Sequence, residues 1–130
     1  MKKLAIGLLV LFTLVACAGK PAASVQGQWE LVSYNKTPAV SGVDTSITFS
    51  PDGKLSGNVG CNGFGGDYSV DGNKITFGPI ASTLMFCENV AEQESGTLAV
   101  FQESATFVLD GNMLTITSAD GASSIVLKQK

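Results

Sequence analysis

Between Gln28 and Lys128 apolar residues recur at every second position in short runs, and most runs stop at a glycine-bearing turn. Alternation of this kind puts successive side chains on opposite faces of a strand, so one face can be buried and the other wetted. The runs are Gln28–Tyr34, Ser46–Ser50, Lys54–Val59, Asp67–Val70, Lys74–Phe77, Ile80–Phe86, Thr106–Asp110, Met113–Thr117 and Ser124–Lys128. Asn35–Asp44, broken by Pro38 and Gly42, is expected to be a loop. Ser50-Pro51-Asp52-Gly53, Asp71-Gly72-Asn73, Asp110-Gly111-Asn112 and Asp120-Gly121 supply turn chemistry: a preset φ at proline, a self-bonding aspartate, a positive φ at glycine. The period changes once, where Val90, Glu94, Leu98 and Phe101 recur at helical spacing. Asn89 with Glu92 three residues on has the form of an N-cap. One short helix is expected over Val90–Gln102, weakened by Gly96 and closing one end of the sheet. The expected fold is mainly β: a small antiparallel β-barrel-like domain of about eight short strands with one short α-helix.

The first residues form an address. Lys2 and Lys3 precede an apolar stretch, Leu4–Leu14, too short to span a bilayer comfortably, and Leu14-Val15-Ala16-Cys17 has the form of a lipobox. Residues 1–16 are therefore expected to be a lipoprotein signal peptide, 17–25 the lipidated Cys17 and a tether, and 26–130 the domain. Ala18–Val25 reaches at most about 25–30 Å when extended. No aspartate follows Cys17, so in a cell with two membranes the expected place is the outer membrane, facing the periplasm. The whole chain carries 8 lysines, no arginine and 11 acids, a net charge of −3, and loss of Lys2 and Lys3 deepens the acidity. Such a balance argues against nucleic acid and against a polybasic membrane contact. Attachment would come from the lipid alone, at about 0.8 kcal/mol per buried methylene.

Catalytic groups are scarce. The chain has no histidine, which removes the commonest general base, the Ser-His-Asp and Cys-His arrangements, and most zinc sites. GNVGCNGFGG lacks the dinucleotide spacing and sits between strands. Glu88, Glu92 and Glu94 fall near the helix start, where carboxylates suit the helix dipole. The expectation is a protein that is not an enzyme and needs no cofactor or metal.

The stretch Gly57–Cys87 holds the densest glycine cluster and two cysteines beyond Cys17. Gly57 leaves room for a bulky neighbour against the backbone. Outside the cytoplasm, Cys61 and Cys87 suggest a disulfide, closing a loop of roughly 26 residues worth about 3.5 kcal/mol in the chain-entropy model. Two buried thiols or a redox pair are the alternatives, the latter disfavoured by the lack of C-x-x-C or a nearby cation. Asn62, among glycines, suits a positive-φ turn, and its amide could bond loop backbone around Cys87 or sit at a binding mouth. Trp29 is expected to plug the core.

Gly60-Cys61-Asn62, Gly66, Tyr68, Ile75-Thr76-Phe77-Gly78-Pro79-Ile80-Ala81-Ser82-Thr83 and Met85–Cys87 together resemble the META domain family, whose bacterial members include HslJ-like heat-shock lipoproteins. The resemblance runs from about Val25 to Lys128, with Trp29-Glu30-Leu31 and Leu114-Thr115-Ile116 at the family's first and penultimate strands. It implies a small barrel-like domain linked to heat shock, drug tolerance and, in parasite relatives, virulence and secretion. The fold it implies is also similar to pilotin lipoproteins that escort secretin subunits. Relatives often carry a basic residue after Cys-Asn and another after the threonine of the second motif, where this chain has Gly63 and Leu84. Gly60, Asn62, Gly63, Gly66, Thr83 and Met85 are the expected motif residues and candidate binding loop. The expected role is a lipid-anchored binding or assembly module in stress tolerance, with the membrane and an envelope protein as partners. A carrier of a small apolar ligand, with Phe49, Tyr68, Phe77 and Phe107 around a cavity, and an inhibitor of an envelope-attacking hydrolase, inserting Cys61–Gly66, are the alternatives.

Overall fold

A computed structural model of the chain describes residues 24–130, so the signal peptide, Cys17 and most of the tether lie outside the described residues. The strands are β1 (Gly27–Tyr34), β2 (Thr37–Pro38), β3 (Ser46–Phe49), β4 (Lys54–Asn58), β5 (Gly63–Asp71), β6 (Lys74–Phe77), β7 (Ala81–Ser82), β8 (Ser104–Asp110), β9 (Met113–Ser118) and β10 (Ser124–Gln129). They pair antiparallel in the order β10-β9-β8-β6-β5-β4-β3-β1, and β1 pairs with β10 to close an eight-stranded barrel. The two-residue strands β2 and β7 lie on β1 and β5. Closure leaves no long free edge among these eight strands, which suits a small β domain.

The alternation in the sequence becomes the barrel wall. Ile47, Phe49, Leu55, Ile75, Leu114, Ile116, Ile125 and Leu127 are at most 1% exposed and point inward. The rings pack on one another, Phe49 edge-on to Tyr68 at 5.1 Å and Phe101 against Phe77 at 5.0 Å and Phe64 at 5.7 Å. Contacts of this geometry add about 0.5–1.5 kcal/mol each beyond area burial. Trp29, 2% exposed, donates its indole N–H to the Val25 carbonyl at 2.9 Å, so Val25 belongs to the core rather than to the tether. β1 is bulged between Leu31 and Ser33, and Thr45 Oγ1 accepts from Leu31 N at 2.8 Å there.

The two barrel ends differ. At one end the chain enters at Ser24 beside the turn at Pro51–Gly53, near Tyr68 and Val70. The Asp71–Lys74 and Asp110–Met113 hairpins turn at this same end. The other end is closed by a 3-10 turn at Glu88–Val90, the helix α1 (Ala91–Leu98) and a second 3-10 turn at Ala99–Phe101.

The helix is thus shorter than its apolar period predicts, and its lid is unusual. The residues α1 buries are polar, Gln93, Glu94 and Thr97, while Val100 and Phe101 of the following turn provide the apolar plug. Gln93 bridges the helix to the wall: its Oε1 accepts from Val40 N at 2.7 Å and its Nε2 donates to the Val59 carbonyl. Asn89 makes no cap, since Val90 occupies the position before α1 and no side chain caps the helix N-terminus.

Candidate functional site

The glycine cluster is not one loop. Gly63–Gly66 is the first half of β5, paired with Asn58–Leu55 of β4, and only Val59–Asn62 crosses over the helix-bearing end. Glycines let the strand sit against its neighbours: a Cβ on Gly66 would strike the Ile80 side chain at 2.6 Å and the Pro79 carbonyl oxygen at 2.8 Å. Gly66 therefore sits on β5, paired with Leu55 and packed under Ile80, away from the crossing. Likewise the run Ile80–Phe86 pairs as a strand only at Ala81–Ser82. Residues Thr83–Cys87 follow no regular element, because they turn outward to reach α1.

The remaining motif residues do meet. Cys61 and Cys87 form a disulfide, with Cα atoms 6.1 Å apart. Asn62, 9% exposed, is fully engaged. Its Nδ2 donates to the Met85 carbonyl at 2.8 Å and to Glu94 Oε2 at 2.9 Å, and its Oδ1 accepts from Met85 N and from Thr83 Oγ1, each at 2.8 Å. That uses both donors and both lone pairs of the amide. Thr83 N donates to the Gly63 carbonyl at 3.1 Å, adding a second tie. The expected bonding around Cys87 is present, but without a positive φ: among the described non-glycine residues that conformation belongs to Asn35 and Lys36.

The residue that organises the site is Glu94. Its Oε1 accepts from the consecutive backbone amides of Cys61 and Asn62, the first at 2.7 Å. Two successive N–H groups aimed at one point form an anion-binding nest, filled here by the chain's own carboxylate. Burial pushes the Glu94 pKa up, but the bonds from Asn62 N, Cys61 N and the Asn62 amide outweigh it and hold the carboxyl below its ordinary value of 4.5. Gly60 permits the approach, since a Cβ there would meet Val90 at 2.8 Å and the Glu94 side chain at 3.1 Å. From sequence, Glu94 looks like one more acid near a helix start. Its place in the period of Val90, Leu98 and Phe101 was the only local signal, and its partners lie more than 30 residues away.

What this bracing presents is apolar. Leu84, Met85 and Phe86 are 94%, 59% and 82% exposed, and a groove of about 290 Å³ separates them from Ala91, Ser95 and Leu98 of α1. Among the described residues no group of three or more Cys, Asp and Glu is placed to hold a metal ion, and no helix is long and apolar enough to cross a membrane.

A closed eight-stranded barrel, capped by a short helix and carrying a disulfide-pinned loop, defines a class of small all-β domain. The META domain model matches residues 22–130, and the chain belongs to the META domain family. No curated protein matches it. Among solved structures it is similar to one determined by NMR, with 24% identity and a TM-score of 0.66 over 79% of this chain and 88% of the other. A second NMR structure, from Burkholderia xenovorans, shares 20% identity with a TM-score of 0.63 over 81% and 82%. A DUF4847 family protein from Bacteroides vulgatus shares 15% identity with a TM-score of 0.57 over 81% and 93%. At these identities the likeness is one of fold.

Proposed function

We propose that this META-family protein is a lipid-anchored, non-enzymatic binding or assembly module of the cell envelope that contributes to stress tolerance. The observation that carries the reading is the contrast inside the crossing. The Asn62 side-chain amide and the Glu94 carboxylate are fully bonded within the protein, while Leu84, Met85 and Phe86 are held out in water. Groups that are satisfied internally brace a structure, and rigid exposed apolar side chains are what a macromolecular contact uses. The packed rings of Phe49, Tyr68, Phe77 and Phe107 in the core favour this over a carrier. The lipobox at Leu14–Cys17 supports the anchor.

Two measurements test the reading. Labelled palmitate fed to the host should enter the chain and be lost in Cys17→Ala. Crosslinking in intact cells, with and without heat stress, should give a discrete adduct with an envelope protein, and its absence in both conditions would sink the binding role. The projecting, disulfide-braced loop also favours a second reading, inhibition of an envelope-attacking hydrolase, which a lysozyme or periplasmic-protease inhibition assay decides.

A further inference from the structure

The exposed apolar tip is specific in its electrostatics and in its place on the barrel. We propose that Leu84, Met85 and Phe86, with the groove beside α1, dock a cationic amphipathic segment of a protein partner. The inference rests on the binding-module reading and names its surface and the chemistry of its occupant.

Three observations select the occupant. The groove is walled by Met85, Phe86, Ala91 and Leu98, no lysine lines it, and the chain has no arginine. Exposed Glu88 and Glu92 follow the tip in sequence, and the Glu94 carboxylate at the groove is bonded only by N–H groups, with no cation beside it. An apolar groove whose one charged lining residue is a carboxylate complements a segment with leucine-like residues on one face and lysine or arginine on the other. Acids this close to the tip in the chain disfavour an anionic bilayer surface, and a second copy would bring like charges together.

Position argues the same way. The described chain begins at Ser24, at the barrel end opposite the helix and its crossing. A lipid on Cys17 would thus join the barrel at the end farther from the tip, which leaves the tip open to a protein segment. Rigidity completes the case: the disulfide and the four Asn62 bonds fix Thr83–Cys87, so docking need not order the loop.

The test uses the full chain purified from its own envelope and carried in phosphatidylcholine nanodiscs. The probe is a fluorescent peptide with leucine and lysine at helical spacing, compared with its leucine–glutamate counterpart. The lysine peptide should bind and the glutamate peptide should not. Phe86→Ser should weaken binding about tenfold or more, and the double change Glu88→Lys, Glu92→Lys should reverse the preference. Phe86 is 82% exposed, so its variant should melt with the parent, and Val108→Ser, changing a 65% exposed residue on β8, should leave binding intact. Equal weakening by Val108→Ser, or no response to Phe86→Ser, would overturn the assignment. So would Phe86-dependent capture of phosphatidylglycerol vesicles, or a dimer that Phe86→Ser dissolves. Photo-crosslinkers at positions 86 and 108 in cells separate the two levels. Protein adducts from 108 alone would remove the tip and leave the binding module, whereas adducts from neither position would count against both.

Discussion

Glu94 Oε1 lies 2.7 Å from the backbone nitrogen of Cys61, a residue 33 positions earlier in the chain. That bond ties the capping helix to the crossing that carries the disulfide, and the neighbouring amide of Asn62 shares the same oxygen. Glu94→Gln keeps an acceptor for the two amides but turns an N–H group toward Asn62 Nδ2. Loss of charge-assisted bonds together with a donor–donor clash at a buried site should cost about 2–3 kcal/mol. Urea unfolding at neutral pH reads the loss directly.

The same carboxyl gives the fold an acid limb. Its folded pKa lies below the ordinary 4.5, so its stabilisation is fully present above about that pH. As the pH falls through that value the unfolded chain takes up a proton that the native state refuses, and the contribution disappears below the folded pKa. Stability should therefore fall with acidification below about pH 4.5, and less steeply in Glu94→Gln. Identical acid limbs for parent and variant would refute the role.

Removing the disulfide by Cys61→Ser with Cys87→Ser releases a 26-residue separation. The chain-entropy model gives a cost of about 3.5 kcal/mol. Only the Asn62 bonds and Thr83 N then hold the tip, so hydrogen exchange at Met85, whose amide bonds Asn62 Oδ1, should quicken before that of the barrel strands.

Gly57 sits in β4 under the ring of Phe64. A Cβ there would fall on the Ser46 carbonyl oxygen, 2.8 Å from the Phe64 ring and 3.1 Å from the Ile47 Cα. Since two of those atoms are backbone of the paired strand, Gly57→Ala should destabilise by about 1–3 kcal/mol. Adding Phe64→Leu should not restore stability, and recovery in the double variant would show that only the ring was obstructing.

Thr97, fully buried in α1, has the one orphaned side-chain polar atom found among the described buried residues, its Oγ1. Thr97→Val replaces that hydroxyl with a methyl of similar shape and should stabilise by about 1 kcal/mol. A lower melting temperature would reveal a partner for the hydroxyl.

What was legible in the sequence depended on how local its cause was. The turns at Pro51–Gly53, Asp71–Asn73 and Asp110–Asn112 were readable because glycine at positive φ is a local requirement, met at Gly53, Gly72 and Gly111 with φ of 80°, 61° and 60°. The strands were readable from alternation, and the disulfide partners from their number. Gly63–Gly66 was misleading, because glycines that look like a loop are here the small residues of a crowded strand. The helix was overextended because Leu98 and Phe101 continue an apolar period through what becomes a 3-10 turn. The bracing roles of Glu94 and Gln93 were not legible because their partners, at Cys61, Asn62, Val40 and Val59, are distant in the chain and leave no spacing pattern.

The pairing of β1 with β10 gives the fold a direction in time. Trp29 sits opposite Gln129 and Leu31 opposite Leu127, so the earliest strand finds its partner on one side only when the latest has arrived. A chain delivered from its N-terminus, by a ribosome or through a narrow export channel, can assemble hairpins as it emerges but cannot zip this seam until the end. Delivery and closure are thereby coupled, and a chain still in transit keeps its first strand open on one side.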